Sequence, residues 1–235
     1  MQRARRLLQL LVGLVLYGTA AALLVRSELG TNPWDVLHQG ISRQTGATMG
    51  TVSIVVGALV LLLWIPLRER PGVGTVANVV LVGLSLDAVL AVFPEVAADA
   101  WAARVGLMVG GIVLLGAATG LYITARLGPG PRDGLMTGLH RRTGRSVRLV
   151  RTGIEVLVLV AGFALGGTVG VGTAVFALTI GPVAQFFLRL FGTMIPSPSE
   201  RMSDRISTQG RRTGILRVRS HRTDRNREPS CADAG

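Results

Sequence analysis

The chain has 235 residues, of which 49% are hydrophobic and only 16% are charged, and its formal net charge is +12. A water-soluble domain carries charge on about a quarter of its residues, so this composition excludes both an ordinary soluble protein and a wholly disordered chain. The sequence contains a single cysteine and three histidines, which excludes an intrachain disulfide framework and a cysteine-based metal site.

Runs without charge predict the membrane-crossing segments. Three such runs are each 19 to 21 residues long: residues 7–25, 47–67 and 105–125. A helix of that length crosses a bilayer. Residues 71–94 are interrupted only by Asp87, and residues 152–188 only by Glu155. The last stretch is too long for one crossing, so we expect two helices that turn within residues 166–172. The total is six transmembrane helices.

The arginines predict the orientation, because basic residues beside a span are retained in the cytoplasm. Arg3, Arg5 and Arg6 place the N-terminus inside. Six crossings then place the arginine-rich residues 126–151 inside, together with the C-terminal tail. We therefore expect a multi-pass protein of the bacterial cytoplasmic membrane with both termini in the cytoplasm. Its partners would be the lipid bilayer and, at the basic cytoplasmic face, anionic lipid.

A shift of 98 residues aligns the two halves of the chain without a gap. LGTNPWD at residues 29–35 falls on LGPGPRD at residues 127–133, and GVGT at residues 72–75 recurs at residues 170–173. Each copy contains three crossings, and because three is odd, the second copy must enter the membrane from the opposite side. The predicted fold is all-α: a polytopic membrane protein with six transmembrane helices in a 3+3 inverted repeat.

This organisation divides the chain into four segments: a basic cytoplasmic N-terminus at 1–6, a first three-helix repeat at 7–98, a second at 99–195 and a tail at 196–235. The tail is rich in Arg, Ser, Thr, Gly and Pro without helical periodicity, so we expect a disordered basic segment. The sequence lacks a nucleic-acid-binding module, and we expect no nucleic-acid partner.

The repeated loop motif predicts a short extra helix in each repeat. Asn32 and Gly130 suit N-caps, and the proline after each suits the first helical position. The first of these helices, at residues 33–45, would be about 20 Å long, which is too short to cross. An amphipathic helix of this kind can lie flat at the headgroups. Alternatively it is re-entrant and points its N-terminus at a central cavity.

These motifs carry a family resemblance. An apolar first helix, LGTNPWDVLHQGIS, then TG, and the echo LGPGPRDGLMTGLHRRTG resemble the YczE-like group of bacterial integral membrane proteins, which is distantly similar to the YitT-type proteins. The resemblance covers roughly residues 7–192. It implies a multi-pass bacterial membrane protein and assigns no role to individual residues.

Six polar residues are candidate ligand or path residues: Asn32, Asp35, Asp87, Arg132, Asp133 and Gln185. Asp35 and Asp133 begin the short helices, where they either cap the helix or face a polar site. Asp87, which the shift pairs with Gln185, lies in an apolar stretch and serves either function or a hydrogen bond between helices. Arg132 has a tryptophan as its counterpart. This asymmetry favours a polar or anionic ligand over a bare metal cation.

Four glycines in the fourth crossing have a spacing that lets helices approach closely: Gly106, Gly110, Gly116 and Gly120. Close helix packing is the simpler interpretation, and a hinge between moving halves is the alternative. Glu155 follows Arg151 by four positions, which predicts an ion pair.

Motifs for hydrolysis, metal binding and nucleotide binding are missing from the sequence. We therefore expect no enzyme, no metal and no cofactor. The inverted repeat and the buried polar residues favour a permease, exporter or channel for an unknown small-molecule substrate, with its path between the repeats. The alternative is a non-transporting scaffold or regulatory partner of another membrane complex, working as a homo-oligomer or with a membrane partner protein.

Overall fold

A computed structural model describes residues 2–194, which form eight α-helices and no strand. The helices are α1 (Gln2–Ser27), α2 (Pro33–Thr45), α3 (Met49–Leu67), α4 (Val73–Val92), α5 (Trp101–Thr124), α6 (Pro131–Thr143), α7 (Val147–Ala164) and α8 (Val171–Met194). The tail predicted at residues 196–235 lies outside the described residues.

Five of the described helices are long and apolar enough to cross a membrane: α1, α3, α4, α5 and α8. Leu62, Leu157 and Leu178 on the outer surface are more than half exposed, as expected where the surrounding solvent is lipid. The sixth predicted crossing corresponds to α7, which is not among these five helices: it has 18 residues and contains three charged residues, Arg148, Arg151 and Glu155. The protein is a polytopic α-helical membrane protein.

Both short helices start where the loop motif predicts, and α2 also has the predicted bounds, residues 33–45. The Asn32 side chain caps α2 by accepting a hydrogen bond from the N–H of Asp35 at 3.0 Å. Gly130 occupies the N-cap position of α6 and has no side chain with which to do the same. Both helices end at a glycine in the left-handed region, Gly46 at φ 71° and Gly144 at φ 68°, where any other residue would be strained.

The second half of the structure repeats the backbone geometry of the first at the same 98-residue spacing. Helices α2, α3 and α4 begin at residues 33, 49 and 73, and α6, α7 and α8 begin at residues 131, 147 and 171. The described residues with positive φ also form pairs at this spacing: Glu28 with Arg126, Gly30 with Gly128, Gly46 with Gly144, and Arg68 with Gly166. Local backbone geometry is therefore duplicated together with the sequence motifs.

The two halves interlock through helices and loops. Helix α1 packs against α5, α2 packs against α7, and α6 packs against α3. The N–H of Gly172 donates to the carbonyl of Leu29 at 2.7 Å, and the N–H of Gly74 donates to the carbonyl of Leu127 at 3.0 Å. The GVGT motif of each half thus binds the loop that precedes the short helix of the other half.

The glycines of α5 lie in two different surroundings. A Cβ atom at Gly116 would lie 2.5 Å from Val183 Cγ1, so a glycine here lets α5 and α8 approach closely, and Gly120 also faces α8. A Cβ atom at Gly106 or Gly110 would meet nothing within 4 Å in the described chain. The expected close packing therefore occurs at Gly116 and Gly120. It does not occur within the described chain at Gly106 and Gly110, which lie on an exposed face of α5.

Candidate functional site

A cavity of about 320 Å³ lies where the helices of the two halves meet. Each of the eight described helices contributes to its wall. Both short helices begin at this wall, α2 with Asn32 and Pro33 and α6 with Gly130 and Pro131. The volume lies within the range of small-molecule sites.

The first half contributes neutral side chains to the cavity. Its polar and aromatic members are Tyr17, Asn32, Trp34, His38, Ser53 and Asn78. Trp34 and His38 are buried, at 7% and 1% exposed. The indole Nε1 of Trp34 has no hydrogen-bond partner among the described residues, and the imidazole Nδ1 of His38 has only the Asp35 carboxylate, 3.4 Å away. A buried polar atom without a partner costs about 1–3 kcal/mol, so a ligand that pairs with it is stabilised there.

The second half contributes the charged side chains among the described lining residues: Arg132, Asp133, Arg151 and Glu155. Arg151 Nε lies 2.8 Å from Glu155 Oε1, which confirms the predicted ion pair. Asp133 Oδ2 accepts a hydrogen bond from the Tyr122 hydroxyl at 2.9 Å. Among the residues that the structure describes, no group of three or more His, Cys, Asp or Glu side chains is arranged to hold a metal ion.

The Arg132 side chain is held by a contact between the flat face of its guanidinium and an aromatic ring. Its guanidinium lies over the Trp34 ring, with Cζ 4.9 Å from the ring centroid. Its Nη2 lies 3.8 Å from Asp35 Oδ1, which is too long for a hydrogen bond. The cation–π contact thus orients the side chain and leaves its N–H donors available to the cavity.

Asp35 lies behind the cavity wall and is only 3% exposed. Its carboxylate accepts a hydrogen bond from Asn32 Nδ2 and lies 3.4 Å from His38 Nδ1. With Arg132 3.8 Å away, this one carboxylate adjoins three lining side chains. Asp35 therefore organises the wall from behind.

Residues 4–189 match the model of the DUF6198 family, which is described as a family of unknown function. The chain belongs to the DUF6198 family.

Two relatives align with most of the chain. A Haemophilus influenzae protein is 41% identical over 192 residues, which cover 82% of this chain and 87% of that protein. The Bacillus subtilis protein named as an uncharacterized membrane protein, YczE, is 34% identical over 178 residues, covering 75% and 82%. No solved structure gives a significant match. The resemblance to the YczE-like group is confirmed, and this DUF6198 protein is a multi-pass membrane protein.

Four of the six candidate residues of this DUF6198 protein line the cavity: Asn32, Arg132, Asp133 and Gln185. Asp35 lies directly behind them. Asp87 lies elsewhere: its carboxylate accepts hydrogen bonds from Thr48 Oγ1 at 2.5 Å and from the N–H of Gly50 at 2.6 Å. Both donors belong to the start of α3. Asp87 on α4 therefore forms a hydrogen bond between helices, which is one of the two roles considered for it from the sequence.

Sequence reasoning did not select Tyr17, Tyr122 or His38 as site candidates. His38 follows Asp35 by three positions on α2, which places the two side chains on one face of the helix. This spacing could have identified His38 from the sequence. Tyr122 had no such signal, because its contact with Asp133 joins the end of α5 to the start of α6. Trp34, which the flat placement of α2 would leave at a membrane interface, is buried under Arg132.

Proposed function

We propose that this protein is a small-molecule permease, exporter or channel whose path runs through the cavity between the two halves. The observation that carries the proposal is the convergence on that cavity of residues whose polar groups keep unused hydrogen-bonding capacity in the described chain: the Trp34 Nε1 donor, the Arg132 guanidinium and the Asp133 carboxylate. A packed core pairs such groups with one another. Inside a membrane, ionisable side chains around a cavity mark substrate paths.

The proposed architecture is a 3+3 inverted repeat with six crossings. The reciprocal loop hydrogen bonds and the paired backbone geometry support a two-fold relation between the halves. Helix α7 supports the sixth crossing because the segments before and after it contact different helices, the end of α3 and the end of α2. Arg142 before α7 donates to Pro66 O at 2.9 Å, and Gly166 after α7 accepts from Arg43. At 1.5 Å per residue α7 is about 27 Å long, close to the thickness of the hydrocarbon core.

We place α2 and α6 as re-entrant helices that begin at the cavity. A helix lying flat at the headgroups would leave its polar face in water, whereas Asp35 and His38 of α2 are buried. The other polar residues of α2 bind protein as well: Gln39 Oε1 accepts from the N–H of Thr168 at 2.7 Å. The arginine distribution supports a location in the bacterial cytoplasmic membrane, with both termini inside and anionic lipid at that face.

Transport is tested by solute flux in proteoliposomes that contain the full chain. The panel holds labelled small amino acids, organic acids, amines and sugars, and empty liposomes give the background. We expect at least one solute class to cross faster than background, and Asp133→Asn to reduce that flux about tenfold or more, because it removes a charge from the proposed path.

Asp87→Asn is the matched control for this flux assay. It makes the same chemical change at a carboxylate that binds the start of α3 instead of facing the cavity. Flux corrected for folded protein should equal that of the unmodified chain. Background flux for the whole panel, or equal losses in Asp133→Asn and Asp87→Asn, would refute a path through this cavity.

A second candidate function rests on the exposed glycines of α5. Gly106 and Gly110 are separated by three residues, and a Cβ atom added at either would have no described atom within 4 Å. They therefore form a surface that another helix can approach closely. A scaffold or regulatory partner of a membrane complex would use such a face. Crosslinking at these positions that yields a stoichiometric partner chain, without solute flux, would favour this function. Neither candidate function involves catalysis.

A further inference from the structure

Two oppositely charged groups in the cavity wall have bonding capacity that the described chain leaves unused. The Arg132 guanidinium makes no hydrogen bond to a described residue, and its carboxylate neighbour, Asp35 Oδ1, is 3.8 Å away. The Asp133 carboxylate accepts one hydrogen bond within the described chain, at Oδ2 from Tyr122, which leaves Oδ1 open. The two residues are adjacent on the first turn of α6. A positively charged donor, Arg132, and a negatively charged acceptor, Asp133, therefore lie side by side in the wall.

The charge balance of the wall favours a ligand that carries both signs. Arg151 and Glu155 neutralise each other at 2.8 Å, and the remaining charged lining residues, Arg132 and Asp133, are one positive and one negative. Asp35 behind the wall adds a further carboxylate, 3.8 Å from Arg132, so the cavity is surrounded by two positive and three negative groups, and a purely anionic ligand is disfavoured. A ligand that carries both signs offers a partner to Arg132 and to Asp133, whereas a ligand with a single charge leaves one of these two residues without a partner in the cavity.

Buried donors identify the place for the negative group. Trp34 Nε1 is a donor without a partner in the described chain, and the ring that carries it lies under the Arg132 guanidinium. Gly130 supplies no side-chain cap to α6, whereas Asn32 caps α2. The first N–H groups of α6 therefore lack the acceptor that their counterparts in α2 possess. A carboxylate at this point would serve as that acceptor.

We infer that the cavity binds a small zwitterion that carries a carboxylate and an ammonium group, of which a free amino acid is the simplest example. The carboxylate lies between Arg132, Trp34 Nε1 and the open start of α6. The ammonium group lies at Asp133, beside the rings of Tyr17 and Tyr122, which pack edge to face at 6.2 Å. This inference names the substrate class of the proposed transport and rests on the cavity being its substrate site.

The test uses three compounds that share one apolar body. Leucine is the zwitterion, leucinamide lacks the carboxylate charge, and 4-methylpentanoate lacks the ammonium group. Binding to the full-length protein in lipid nanodiscs is measured by titration calorimetry at about pH 6, where the amine of leucinamide is protonated. Alanine and phenylalanine extend the series to a smaller and a larger zwitterion. We expect at least one zwitterion to bind, and the zwitterion of a matched series to bind about tenfold or more tightly than either single-charge analogue.

Two variants assign the charges. Arg132→Gln should abolish the preference for leucine over leucinamide and keep the preference over 4-methylpentanoate. Asp133→Asn should do the reverse. Arg141→Gln, which alters an ion pair with Glu69 outside the cavity wall, is the control and should leave both preferences unchanged. Because the comparison of the three compounds uses the unmodified protein, it stands even where a variant does not fold.

The outcomes separate this inference from transport itself. Binding of none of the three zwitterions, equal binding of the matched compounds, or an equal loss for all compounds in both variants would overturn the inference. Charge-dependent binding without flux would uphold the inference and end the transport proposal. Flux of a solute with a single charge, without zwitterion binding, would uphold transport and refute the zwitterion site.

Discussion

Carboxylates of this protein differ in role because they differ in the donors around them. Asp87 accepts hydrogen bonds from a hydroxyl and a backbone N–H at the start of α3, so its charge is compensated within the protein. The Asp133 carboxylate accepts a hydrogen bond from one tyrosine hydroxyl, and the residue lines the cavity. Hydrogen bonds to a charged group contribute about 1.5–3 kcal/mol each, so the number of local donors separates a structural carboxylate from one that is available to a ligand.

Removal of the Asp87 carboxylate tests its structural role. Asp87→Ala leaves the first turn of α3 without its interhelical acceptor, and we expect the free energy of unfolding to fall by about 1–3 kcal/mol. Thermal unfolding in detergent measures the change. Asp99→Ala, at an exposed loop position, is the control and should leave the midpoint unchanged. Equal midpoints for the two variants would contradict the capping role of Asp87.

Among the elements, α5 shows that one glycine spacing serves two surfaces. Towards its C-terminal end the glycines face α8, and a Cβ atom at Gly120 would lie 2.9 Å from Phe191 Cδ2 and 3.0 Å from the backbone carbon of Phe187. Nearer its N-terminal end, Gly106 and Gly110 are exposed. A small-residue spacing allows close approach, but the neighbouring helix decides whether close approach occurs.

Alanine substitutions separate these surfaces. Alanine favours a helix over glycine by about 1 kcal/mol, so Gly110→Ala should leave the protein as stable as before or slightly more stable. Gly120→Ala adds a methyl group against two phenylalanines, and overpacking should lower stability by about 1–3 kcal/mol. Thermal midpoints of the two variants in the same detergent give the comparison. A Gly110→Ala midpoint as low as that of Gly120→Ala would show that the exposed face is packed in the purified protein.

At the scale of the whole molecule, the reciprocal contacts between the halves place the cavity where neither half could build it alone. Helix α2 of the first half packs on α7 of the second, and α6 packs on α3. The first half supplies neutral polar and aromatic side chains to the wall, and the second supplies the charged ones. Duplication followed by divergence at equivalent positions, such as Trp34 and Arg132, thus produces a site with chemically different sides.

Sidedness labelling tests the inverted relation of the halves. Thr45 and Thr143 are exposed, end equivalent helices and are 98 residues apart. Each is replaced by cysteine in a Cys231→Ser background and treated with a membrane-impermeant maleimide. The proposed topology requires Thr45→Cys to react in intact cells and Thr143→Cys to react only after permeabilisation. Arg5→Cys serves as the cytoplasmic reference. Reaction of both test positions from the same side would overturn the inverted arrangement.

Much of the fold could be predicted from the amino-acid sequence because membrane helices are governed by local properties. Charge-free length predicted the apolar helices, and the Asn-Pro and Gly-Pro motifs predicted the starts of α2 and α6, since capping involves residues only a few positions apart. Shared motifs also predicted the family. The same local chemistry predicted the pair of Arg151 with Glu155.

The candidate site depended on contacts that no local pattern encodes. Asp35 and Asp133 occupy equivalent positions of the repeated loop motif and Asp87 lies in an apolar stretch, yet Asp35 lies behind the cavity, Asp133 faces it and Asp87 binds α3. Tyr122 and Trp34 entered the wall through packing between helices. Only the tertiary structure assigned these roles, because the free energy of a buried polar group depends on the donors and acceptors that distant segments bring to it.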